Sequence, residues 1–135
     1  GSGKQDWLCI SSSLSRRGFS CALLTTERRG HVEDFLKSST KLGEEHDILA
    51  VAGGDGSLFE FVNASRDSAV MLPPLVPVPS GTGNGFATSL GICSAADAAA
   101  AIYAGEERAM DLLSVELGTH TSRVAVLSVG WGGIA

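Results

Sequence analysis

Asp55 lies in the stretch "AVAGGDGSLFEFVNA" (residues 50–64), among Gly53, Gly54 and Gly56, where an apolar run gives way to a helical pattern. A carboxylate at that point has two readings. It caps the helix that follows, or it meets a metal or accepts a proton beside an anion held by its neighbours. Glycines let a phosphate or hydroxyl approach the backbone, and free N–H groups at a helix start attract negative charge. A second glycine turn, "PSGTGNGFA" (residues 79–87), follows another short apolar run and tips the balance toward the second reading. The opening "GSGK" looks like part of a phosphate loop. None of the three is a standard nucleotide fingerprint. The G-x-x-x-x-G-K-[ST] spacing is absent, and Phe86 stands where G-x-G-x-x-G needs its third glycine.

Such turns need rigid elements to hold them. The sequence predicts a helix over Lys4 to Arg16, with Leu8, Ile10 and Leu14 as its apolar side, and then a strand from Phe19 to Thr26. "HVEDFLKSSTKL" places Val32, Phe35 and Leu36 at helical spacing, and Gly43 is read as its cap. "DILAVA" (Asp47 to Ala52) is nearly all apolar, as a parallel strand covered on both faces would be. Leu58, Phe61 and Val62 mark a helix after "GGDG". The prolines between Pro73 and Ser80 limit any strand there to a short one. Gly83 to Leu90 reads as a helix with Phe86, Ala87 and Leu90 on one side. Ser94 offers an N-cap, with Asp97 three residues on, and Gly105 closes that helix. Around "GTHT", two alternating runs read as an antiparallel hairpin. The fold class is therefore α/β: an open, mainly parallel, Rossmann-like sheet with helices on both faces, ending in an antiparallel hairpin. Ligands of such sheets bind at the carboxyl ends of the strands, where the glycine turns fall.

Composition narrows the function classes. The chain has 135 residues, 44% hydrophobic and 19% charged, which is enough for one globular domain with its own core. Its net charge of −5 argues against a nucleic-acid partner. No apolar run is long enough to span a bilayer. Three cysteines without a C-x-x-C and three histidines without ligand spacing give no disulfide framework and no protein-built metal site. The thiols read as those of a reducing compartment. The chain lacks an initial Met and stops within or just after an apolar run, so it reads as a fragment, and its start on a helix reads as a first strand lost upstream.

The two turns in this order, "GGDGSLFEFVNA" and "VPSGTGNGFATSLG", resemble the diacylglycerol-kinase-like catalytic domain shared by diacylglycerol, ceramide and sphingosine kinases. NAD kinases carry a related "GGDG". "TTERRGH" (residues 25–31) and "AMDLLSVEL…VLSVGWGGIA" are similar to segments of sphingosine kinases. Departures are the "GGDG" and "GTGN" common among diacylglycerol kinases, Gly133 in place of a bulky aromatic, and an opening loop without the family's Asn-Pro. The resemblance implies that residues 1–135 are the N-terminal, nucleotide-binding lobe of a lipid kinase, with a β-rich lipid-binding lobe to follow. It implies ATP and Mg²⁺ as cofactors, and transfer of the γ-phosphoryl group to the primary hydroxyl of sphingosine or a related sphingoid base. Diacylglycerol kinase, ceramide kinase, NAD kinase and a non-catalytic nucleotide- or lipid-binding module are the alternatives. It also implies a cytoplasmic protein with peripheral membrane association.

By the same resemblance Asp55 is the general base and touches the acceptor, directly or through metal-bound water. Gly1 and Gly3 cradle phosphate from one side, and Gly53, Gly54 and Gly56 contribute N–H groups and clearance. Thr82, Gly83 and Asn84 form the facing wall, and Thr26 lines the nucleotide pocket. Glu60 is either a nucleotide contact or part of a solvated helix face. Ser128 is either near the lipid headgroup or a packed strand serine. Arg28 and Arg29 either sense phosphate or belong to a solvated loop.

Overall fold

Two parallel strands hold the two glycine turns side by side. The structure, a computed structural model, describes residues 2–39, 41–118 and 121–127. In chain order its elements are α1 (Ser2–Ser15), α2 (His31–Ser38), α3 (Leu42–Glu45), β1 (Leu49–Gly53), α4 (Asp55–Ser68), β2 (Leu75–Pro79), α5 (Gly85–Ser89), α6 (Ala95–Ala104), β3 (Leu113–Leu117) and β4 (Thr121–Ala125). β1 and β2 pair in parallel, Leu49 opposite Leu75 through Gly53 opposite Pro79. β3 and β4 form the expected antiparallel hairpin. The α/β reading of the sequence therefore holds.

β2 tolerates two prolines because of strand geometry. Leu49 N–H donates to the Pro74 carbonyl at 2.9 Å, and Ser80 N–H donates to the Gly53 carbonyl at 3.2 Å. Even-numbered residues of this segment thus face β1. Pro77 and Pro79 fall at odd positions, where the missing N–H would point away from β1. The ladder survives, and the outer edge of β2 is denied donors.

A core forms on each face of the pair. On one side Ile10 and Leu14 of α1 and Ala95, Ala98, Ala99 and Ile102 of α6 pack with Val78 of β2. The α6 residues recur at i, i+3, i+4 and i+7, which puts them on one stripe, and the three alanines let that helix lie close. On the other side Leu36, Leu42, Phe61 and Ala64 close over Leu49, Val51 and Leu75. Leu36 and Val78 are fully buried.

Several local expectations are corrected. Residues 19–26 form no ladder and run as irregular chain, with Leu23 and Leu24 exposed and Cys21 packed at the core edge. Apolar, β-prone composition makes no strand without a partner edge. β1 is covered on one face, while Ala50 and Ala52 of the other face stay exposed. Leu8 and Leu90 are exposed and not part of their helices' apolar sides. Gly43 does not cap α2, which ends at Ser38. It sits in α3, where a Cβ would lie 2.8 Å from the Met71 carbonyl oxygen, so its smallness serves a close backbone approach.

The expected cap of α6 forms as read. Asp97 N–H donates to Ser94 Oγ at 3.1 Å, while Asp97 Oδ2 accepts from Ser94 Oγ at 2.9 Å and from Cys93 N–H at 3.0 Å. The Ser94 hydroxyl, then the Cys93 amide, holds the Asp97 carboxyl below its ordinary value of 3.8. A folded-state value below the unfolded one stabilises the fold above the ordinary range and loses that effect as pH falls through the folded value. Asp97→Asn is therefore expected to lower the thermal midpoint at neutral pH and to converge on the parent protein in acid. A difference that persists unchanged into acid would contradict the assignment.

Candidate active site

The turn after β1 and the turn after β2 touch backbone to backbone. A Cβ on Gly81 would lie 2.5 Å from Gly54 Cα, and a Cβ on Gly54 would lie 2.9 Å from the Gly83 carbonyl oxygen. No side chain fits between such atoms, so both positions require glycine. Asn84 braces the second turn from within. Its Oδ1 accepts from Gly81 N–H at 3.1 Å, and its Nδ2 donates to the Gly81 carbonyl at 2.8 Å.

Asp55 locks the two turns together. Its own N–H donates to the Gly83 carbonyl at 3.3 Å. Its Oδ2 accepts from Gly85 N–H at 2.9 Å, and its Oδ1 accepts from Phe86 N–H at 3.0 Å. Asp55 thus opens α4 and caps α5, a different helix from the one the sequence suggested. Half-buried, the carboxylate stands between the first turns of two helices and takes two otherwise unpaired N–H groups of α5.

Around this pair the other sequence-selected residues gather unevenly. Gly53 is tight against Ser57, whereas a Cβ on Gly56 meets nothing within 4 Å, so Gly56 is the glycine of "GGDG" that faces open space. Thr82 and Gly83 are exposed on the second turn. Gly3 lies in the first turn of α1. That helix reaches the second turn through Asp6, whose Oδ2 accepts from Ser80 Oγ at 2.6 Å. Glu60 is exposed on α4, and its Oε1 accepts from Gly30 N–H at 3.4 Å, which ties "TTERRGH" to the helix that carries Asp55. Thr26 is exposed in the irregular segment leading into that loop. Arg28 pairs with Asp34 and holds its carboxyl below the ordinary value, so this arginine is already engaged; Arg29 forms no ion pair among the described residues. Gly1 and Ser128 lie outside the described residues.

Sequence reasoning missed the Asp6–Ser80 bond. Nothing in local spacing joins residues so far apart in the chain. Nor did sequence reasoning reveal the close contacts within the protein that Gly53 and Gly54 make.

Residues 1–115 match the family model of the diacylglycerol kinase catalytic domain. The chain belongs to that family. As a diacylglycerol kinase catalytic domain it is similar to sphingosine kinase 2 of Arabidopsis thaliana, at 34% identity over 119 residues, which cover 82% of this chain and 24% of that protein. Human sphingosine kinase 1 is 30% identical over 150 residues, covering 93% of this chain and 36% of that protein. A diacylglycerol kinase of Staphylococcus haemolyticus (strain JCSC1435) is 36% identical over 77 residues, covering 57% of the chain and 22% of that protein. The expected resemblance to sphingosine kinases is thus borne out. The chain spans about a quarter to a third of the length of these two sphingosine kinases.

The glycine geometry makes a direct prediction. Gly81→Ala forces two backbones apart and should cost about 1–3 kcal/mol. Gly56→Ala meets open space at a helix start and should be neutral or slightly stabilising. Denaturant unfolding of both variants checks this, and equal losses in the two would contradict the loop contact.

Proposed function

We propose that residues 1–135 form the nucleotide-binding lobe of an ATP-dependent lipid kinase whose acceptor is the primary hydroxyl of a sphingoid base. One observation carries the reading. Asp55 is fixed by two backbone N–H groups between glycine turns at the carboxyl ends of paired parallel strands. Those bonds occupy one acceptor position on each carboxylate oxygen and leave others for an incoming alcohol. The family match and the sphingosine kinase relatives support phosphoryl transfer and a sphingoid acceptor.

The reaction balances simply. The acceptor oxygen bonds to the γ-phosphorus of ATP, the bond from that phosphorus to the β-phosphate oxygen breaks, and ADP leaves. Asp55 accepts the hydroxyl proton. Phosphoryl transfer depends mainly on positioning and charge stabilisation, so the residues with open surroundings matter most. Gly56, Thr82 and Gly83 supply backbone close to the phosphates, with Gly3 at the start of α1 on the other side; Gly1 is given the same phosphate role by the family resemblance alone. Glu60 and Thr26 serve the nucleoside side, and the resemblance alone assigns Ser128 to the lipid headgroup.

Among the described residues no three of His, Cys, Asp and Glu gather as a metal cage. That donor set fits Mg²⁺ bound chiefly by nucleotide phosphates, which needs one or two protein carboxylates; Asp55 and Asp6 stand at the turns. When bound, Mg²⁺ neutralises phosphate charge. No helix among the described residues is long and apolar enough to cross a membrane. In the proposed reading, which rests on the family and not on that absence, lipid is reached by peripheral contact from the cytoplasm, with a lipid-binding lobe following this one.

A second acceptor, diacylglycerol, is favoured by the Staphylococcus haemolyticus relative and by the "GGDG" and "GTGN" forms of the turns. In the longer chain with both lobes, Asp55→Asn should cut lipid phosphorylation by about 10²–10⁴-fold, with a far smaller effect on ATP affinity. Offering ATP–Mg²⁺ with sphingosine, diacylglycerol, ceramide or NAD distinguishes the readings. Transfer to sphingosine supports the proposal, and transfer to diacylglycerol selects the second acceptor. ATP binding without transfer to any of them would overturn catalysis and leave a binding module.

A further inference from the structure

Asn63 is a buried polar residue in the middle of α4, 5% exposed, on the helix that begins with Asp55. Its side chain reaches across to the hairpin. Asn63 Nδ2 donates to the Val124 carbonyl at 2.9 Å, and Val124 N–H donates to Asn63 Oδ1 at 2.8 Å. Nδ2 also donates to the Phe59 carbonyl at 2.9 Å, which fixes the amide's orientation. Asn63 therefore bonds the free edge of β4 as another strand would, through one donor and one acceptor of the same residue. Three residues along the same helix face, Arg66 Nη2 donates to the Ser122 carbonyl at 3.0 Å and Nη1 to Ser122 Oγ at 3.1 Å. Val124 and Ser122 are two apart on one strand, so their outward groups share one edge.

The hairpin leads from this latch to the site. Leu127 lies three residues beyond Val124, and a Cβ on Gly85 would come within 3.1 Å of Leu127 Cδ2. Gly85 N–H is one of the two groups that hold the Asp55 carboxylate. We infer that Asn63 is a positioning residue: by latching β4 it seats Leu127 against Gly85 and so keeps Asp55 in place. This rests on the reading of Asp55 as the residue that takes the acceptor's proton. α4 then acts on the site twice, through its first residue and through the hairpin docked on its middle.

Hydrogen exchange and steady-state kinetics on the longer chain test the inference, with Asn63→Ala and Arg66→Ala. Asn63→Ala should speed exchange of the Val124 and Gly85 amides about tenfold or more, while amides of Ala98 to Ile102 in α6 hold. Its kcat for lipid phosphorylation should fall about tenfold or more with KM for ATP unchanged, because a small misplacement of a reacting group is costly. Arg66→Ala, which removes the outer attachment at an exposed site, should shift Gly85 exchange and kcat in the same direction by less. Faster exchange at Val124 with Gly85 unchanged, or equal acceleration throughout α6, would overturn the positioning role. If Asn63→Ala fails to fold, Arg66→Ala decides, and an unchanged Gly85 amide in it counts against the inference. A parent protein that phosphorylates no lipid would defeat the kinase reading, and the exchange data would still decide the latch.

Discussion

The site depends on the approach of two backbones at Gly54 and Gly81. Each turn follows a parallel strand, and the strand spacing alone would leave room for side chains between them. Glycine removes those side chains, and the turns close to contact distance. Asp55 can then reach the first amides of α5, and a single carboxylate joins the ends of β1 and β2, the start of α4 and the start of α5. A methyl group at Gly81 would separate these parts. The aspartate would then be an acid at the start of α4 without the amides that fix its direction.

The rest of the molecule maintains that approach. Val78 on one face and Leu36 on the other are fully buried, so helices anchor the strand pair from both sides even though Ala50 and Ala52 of β1 stay exposed. Asp6 bonds Ser80 from α1, and Glu60 bonds Gly30 from α4, so the second turn and the "TTERRGH" loop are each tied to a helix. Asn63 and Arg66 fasten the hairpin to the same α4. Buried polar groups with all their partners made rigidify a site more than apolar contacts of the same size, because their geometry has one solution.

Much of this was legible in the sequence, and the limits follow from physics. Local signals carried the hairpin, the Ser94–Asp97 cap and the helix after "GGDG", since alternation, capping chemistry and helical spacing are encoded within a few residues. The strand expected at Phe19 to Thr26 failed because pairing needs an edge that composition does not reveal. The sequence drew attention to Asp55, but its partners, Gly85 and Phe86, lie thirty and thirty-one positions away and could not be read from spacing. The same holds for Asp6 with Ser80. Asn63 did leave a trace: asparagine is a poor helix former, and its presence among Phe61, Val62 and Ala64 signals a side chain needed for something other than helix stability.

The central claim is that the space beside Gly56, Thr82 and Gly83 receives the phosphates while Gly54 and Gly81 stay packed against each other. Backbone amide NMR during titration with ATP and Mg²⁺ tests it most directly. The account predicts that the largest shifts fall on Gly56, Thr82 and Gly83, with the Gly54 and Gly81 amides remaining protected from exchange. Shifts concentrated instead in the groove beside β2, at Gly105 to Ala109, or a loss of protection at Gly81 on binding, would contradict it.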